Sequence, residues 1–102
     1  MIGDPVPEAA RIELERLGGR WRTLPLDQAL RAAPALRALA QAYADEIGAA
    51  EAATPGVIAD LGPAAAYDQL VTLTYDAARA LDDVRREQLA DELARLRRGL
   101  AG

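Results

Sequence analysis

Residues 62–81 read GPAAAYDQLVTLTYDAARAL, and the fold class turns on this stretch. It holds VTLTY at 71–75, the one β-branched cluster in the chain. A half-buried strand would alternate apolar and polar residues, whereas Tyr67, Leu70, Val71, Thr74, Ala78 and Leu81 recur three and four apart. Pro63 behind Gly62 suits the first position of a helix, where its missing N–H costs nothing. The spacing therefore predicts a long helix opening at Pro63. With this cluster helical, no segment of the chain is left to build a sheet.

Downstream, Asp82 and Asp83 either cap a fresh helix or sit at a bend. Leu89, Leu93, Leu96 and Leu100 then follow at spacings of four, three and four, an apolar seam too short for a coiled coil. Arg97 and Arg98 suit the negative end of that last helix. Upstream, residues 57–63 (VIADLGP) form a short helical turn or an extended hydrophobic clip over the bundle. Thr54-Pro55-Gly56 breaks the preceding helix, which carries Leu36, Leu39, Ala40, Tyr43 and Ile47 on one stripe and reaches about Ala52. Pro34 ends or kinks a short helix over 26–33, for which Thr23 is the candidate cap. The first helix has Asp4-Pro5 as cap and first residue, Val6, Ala10, Leu14 and Leu17 as its stripe, and Gly18-Gly19 as its stop. Residues 20–25 (RWRTLP) then form a non-helical link. The expected fold is all-α, a small antiparallel bundle of four to five helices in one domain over 1–102.

Composition narrows the chemistry. The 102 residues contain no Lys, His, Cys, Ser, Asn or Phe, and all 12 basic residues are Arg. The commonest general base, the soft metal ligands, most nucleophiles and the Schiff-base amine are thereby missing. The Arg, Ala and Leu bias looks like the codon usage of a high-GC bacterial genome, which by itself depletes Lys, Asn and Phe. Ala (24) and Leu (15) dominate, with one Trp, so few side chains bury large areas. Small domains in that position often gain stability by association, and a homodimer is expected. The N-terminus carries no secretory signal pattern, nothing is long and apolar enough to span a membrane, and Cys is absent. Those features fit a cytoplasmic protein.

Charge is unevenly spread. Residues 45–84 hold eight acids against Arg79, while 20–37 hold four Arg against Asp27 and 85–98 five Arg against three acids. The overall balance of −4 disfavours nucleic acid. A helix-turn-helix over 26–33 and 35–52, with Arg20, Arg22, Arg31 and Arg37 on DNA, is the alternative function, although its second helix ends in Asp45, Glu46 and Glu51. A carboxylate–Mg²⁺ hydrolase is the third. Asp68, Thr72 and Asp76 share a face with Arg79 beyond, but Asp45 and Glu46 are adjacent and no ExxE element occurs. That face reads better as solvated surface. No catalytic residue, metal ligand or cofactor is expected.

The leading expectation is a non-enzymatic interaction or accessory protein that binds a protein partner through helical faces. Its candidate contacts are Trp21 with Arg20 and Arg22, Tyr75, and Leu93, Leu96, Arg97 and Leu100 of the last helix. Trp21 has two readings: an aromatic anchor flanked by cations, or a plug at the bundle end covered by the arginine stems. Such a protein should show apolar surface near Trp21 or the C-terminal leucines.

Overall fold

The computed structural model describes residues 4–54 and 56–100, and within them the chain is all-helical. Four helices pack together: α1 (Glu8–Thr23), α2 (Leu26–Ala50), α3 (Pro63–Ala80) and α4 (Asp83–Gly99). Tyr43, Leu17, Leu36, Leu70, Leu89 and Leu93 fill the centre, with alanines such as Ala33, Ala40, Ala66, Ala77 and Ala78 between them. Alanine on facing stripes lets helix axes approach closely, which is how a chain this poor in large side chains still closes a core.

Several boundaries differ from the sequence expectation, each for a local reason. Asp4 does not cap α1; its carboxylate accepts from the Val6 N–H at 2.9 Å, organising the turn before a helix that begins at Glu8. Gly18-Gly19 does not stop α1, which continues to Thr23. A Cβ at Gly18 would lie 2.5 Å from the Tyr67 hydroxyl oxygen, so this glycine makes room for a neighbouring helix instead of turning the chain. Thr23 closes α1, donating to the Arg20 carbonyl at 3.0 Å, and so does not cap α2. Pro34 sits inside a continuous α2 of 25 residues. The proline removes the N–H that would serve the Leu30 carbonyl, and both residues are exposed, so water can take the donor's place.

α2 ends with Ala52 at φ 54°, a left-handed residue normally filled by glycine. Its closing bonds run from Ala53 N–H to the Gly48 carbonyl at 2.8 Å and from Ala52 N–H to the Ala49 carbonyl at 3.4 Å. Pro55, part of the anticipated breaker, lies outside the described residues. Gly62 at φ 92° admits the sharp entry into α3, and Pro63 takes its first turn. Asp82 caps α4, accepting from the Arg85 N–H at 2.9 Å.

Helix senses follow from which ends meet. α1 and α3 run antiparallel, since the Tyr67 hydroxyl reaches the Leu14 carbonyl and the Trp21 indole the Pro63 carbonyl. α2 and α4 also oppose, through Tyr43–Glu92 and Glu46–Arg85. α2 and α3 run side by side in the same sense: Leu26 and Ala29 lie near Pro63 and Tyr67, and Ile47 and Glu51 near Asp76 and Arg79. The bundle departs there from a uniformly antiparallel arrangement. A parallel pair needs a long return, and residues 51–62 supply it. Gln41 pins that return by donating to the Gly56 carbonyl and accepting from the Ile58 N–H, Gln69 holds the Ala59 carbonyl, and Arg37 pairs with Asp60 at 3.1 Å. The anticipated hydrophobic clip is thus a polar one, with Val57 and Leu61 exposed.

Candidate interaction surface

Trp21 ends α1 on its inward side, only 8% exposed, and its indole N–H donates to the Pro63 carbonyl at 3.1 Å. Extending α1 through the two glycines turned this residue from a linker position into a helical one facing the core. Beside it the Tyr67 hydroxyl donates to the Leu14 carbonyl at 2.8 Å. Trp21 is a plug at the bundle end; an exposed anchor it is not.

The other anticipated contacts divide in two. Leu93 and Leu100 are buried, and Leu96 and Tyr75 lie half-buried against the core. The leucine seam of α4 is consumed inside the chain, where Leu89 and Leu93 join Leu36 and Tyr43 of α2 and Leu70 of α3 in the core. Leu93 and Leu100 are therefore withdrawn as partner contacts. Arg20 donates to the Leu100 carbonyl at 3.3 Å, and Arg97 to Glu13 at 2.9 Å. The Arg97 hydrogen bond, partly opposed by burial, holds the Glu13 carboxyl below its usual range. Arg22 is exposed. Arg16, Arg20, Arg97 and Arg98 line one recess of about 520 Å³ where α1 and α4 both end.

One polar cluster escaped the sequence. Arg85 donates to both oxygens of Glu46 at 2.7 and 2.8 Å and to Glu92 at 3.1 and 3.3 Å, while the buried Tyr43 hydroxyl donates to Glu92 at 3.1 Å. Burial first, then the Glu92 carboxylate, push the Tyr43 phenol well above its ordinary value, so it stays protonated. Hydrogen bonds to Glu46 and then Glu92 raise the Arg85 guanidinium further. One cation answers two carboxylates and the phenol is locked, which is a cross-brace between α2 and α4 and not an acid–base pair. Its partners lie 39 and 49 positions apart, beyond the reach of any helical spacing rule. Among the described residues no three acidic side chains gather into a metal-holding group.

Besides Val57 and Leu61 on the return segment and Val84 on α4, the fold leaves a row on α2 exposed. Leu26 is 69% and Leu30 54% exposed, and Pro34, Ala38 and Ala42 continue the same four-residue step, all exposed. One helical ridge thus carries five uncharged residues to solvent. Beside its start opens a groove of about 460 Å³ lined by Trp21, Leu24, Leu26, Ala29 and Tyr67, with Arg22 and Asp68 supplying charge. The apolar surface lies at the Trp21 end, formed by α2 and not by the C-terminal leucines.

The chain matches no known family model, no curated protein and no solved structure. Its function has to be argued from this surface.

Proposed function

We propose that the protein is a non-enzymatic interaction protein that binds a protein partner through the outer face of α2, and that it works as a homodimer in the cytoplasm of a high-GC bacterium. The observation carrying this is the uncovered ridge Leu26–Leu30–Pro34–Ala38–Ala42. In a chain with so few large apolar residues, two leucines left in water on one helical face are a cost that docking removes. The cysteine-free composition and the arginine bias support the setting. The helix-turn-helix alternative loses its two helices, since α2 passes straight through Pro34. It also loses Arg37 to Asp60 and Arg20 to the Leu100 carbonyl. No specific observation favours it.

The test is quantitative recovery of proteins with tagged wild type, Leu30→Arg and Val84→Arg, the last on an exposed residue of α4. At least one protein, a second tagged copy of this chain included, is expected to fall about tenfold or more with Leu30→Arg and to stay with Val84→Arg, since about 1.4 kcal/mol is tenfold in affinity. If nothing recovered depends on Leu30, the proposal fails.

A further inference from the structure

We infer that the occupant of the α2 ridge is a second copy of this chain, packed antiparallel about a two-fold axis at Pro34. The pairing presupposes that the ridge is a docking face, as proposed above, and adds what docks there and in which register.

The ridge is asymmetric in a way that matches its own reversal. Its large residues, Leu26 and Leu30, precede Pro34, and its small ones, Ala38 and Ala42, follow it at the same steps. A two-fold axis at Pro34 sets Leu30 over the second copy's Ala38 and Leu26 over the second copy's Ala42. Every leucine then meets an alanine, twice by symmetry, so the ridges interdigitate without overpacking. Displacing the axis by one four-residue step to Leu30 brings leucine onto leucine and alanine off the seam.

Charge selects the same direction. Toward the start of α2, where α1 and α4 end, exposed Arg22, Arg31 and Arg98 outweigh exposed Asp27 and Asp68, whereas toward its end exposed Asp45, Glu51, Asp82 and Asp83 outweigh exposed Arg79. Antiparallel pairing brings the basic end of each copy to the acidic end of the other, and a parallel pairing would oppose like ends. The return segment does not obstruct the approach. Arg37 and Gln41, which hold it, project from one flank of the helix while Ala38 and Ala42 turn toward the other.

The natural chain has no cysteine, so single engineered thiols report the register directly. Sedimentation of the purified protein is expected to give twice the 10.8 kDa chain mass, falling to the single-chain mass in Leu30→Arg with its helical circular dichroism unchanged. Under mild oxidation with diamide, Pro34→Cys should form a chain–chain disulfide at least about tenfold faster than Ile12→Cys on α1. Leu26→Cys and Ala42→Cys should each fail alone and cross-link when mixed. A dimer that persists in Leu30→Arg, or one that Pro34→Cys does not cross-link, overturns the pairing, and the α2 docking face falls with it unless a different protein still shows Leu30-dependent recovery. A purified chain that stays monomeric at the highest attainable concentration overturns the pairing alone if a different protein still shows Leu30-dependent recovery. Should nothing show such dependence, both fail.

Discussion

The two halves of α2 share a buried stripe and differ in everything that faces outward. From Arg37 onward its polar side chains are engaged within the chain: Arg37 with Asp60, Gln41 with the return segment, Tyr43 with Glu92, and Glu46 with Arg85. Before Pro34 the helix has an exposed Asp27–Arg31 pair and otherwise leaves leucines in water. A polar side chain whose bonds are already made inside the chain offers a partner little. An apolar one left in solvent offers burial at no cost in broken bonds. The polar bracing has gone to the second half, and the exposed leucines have stayed with the first, with Ala38 and Ala42 as the small outward residues between the braces.

The largest test of that division is Tyr43→Ala. Emptying the fully buried ring site should cost about 3–5 kcal/mol in urea unfolding, as large-to-small changes in closed cores do. A small effect would mean that the cross-braced half is not the structural one. Next come the paired glycines of α1. Gly18→Ala should destabilise by about 1–3 kcal/mol through overpacking against Tyr67. Gly19→Ala meets nothing within 4 Å and should stabilise by up to about 1 kcal/mol from helix propensity. Equal signs for the two would remove the close approach that extends α1.

Tyr43→Phe keeps the ring and removes one hydroxyl, so it should cost only about 1 kcal/mol near neutrality. Its signature is alkaline. The folded phenol is raised above its unfolded value of about 10, so its contribution is fully present below that pH and is lost as pH rises beyond it. Stability of the wild type should therefore decline above about pH 10 more steeply than that of Tyr43→Phe, as followed by urea midpoints. The smallest change is Leu30→Gln on the open half. Unfolding of the dilute, dissociated chain should move within about 0.5 kcal/mol, since an exposed residue carries little of the monomer's stability. A larger loss there would place Leu30 in the fold and break the contrast.

Much of the architecture was legible where chemistry is local. The spacing of Tyr67, Leu70 and Thr74 and the Pro63 start act within one or two turns and stand in the structure, and of the two readings of Asp82 the structure takes the cap. Gly18 and Pro34 misled because tertiary context decides their meaning: one faces Tyr67, the other faces water. The candidate contacts suffered from the same gap. Spacing identifies an apolar stripe on α4 but not what covers it, so Leu93 and Leu100 read equally as seam and as core. The α2 ridge was hidden differently, since Leu26 and Leu30 fell in what looked like a separate short helix ending at Pro34. Arg85 joins residues on two helices far apart in sequence, which no single-segment pattern encodes.

The pairing of α1 with α4 has a consequence for how the chain reaches this structure. Glu13 is bonded to Arg97 across 84 positions, and Arg20 to the Leu100 carbonyl across 80. Contacts of such separation close the largest loops the chain can form, which slows the search relative to bundles built from neighbouring hairpins. During synthesis α1 emerges long before α4, and Glu13 and Arg20 must wait for the partners that bond them. The protein should therefore gain its protease resistance late and in one step, when its last helix is free to dock.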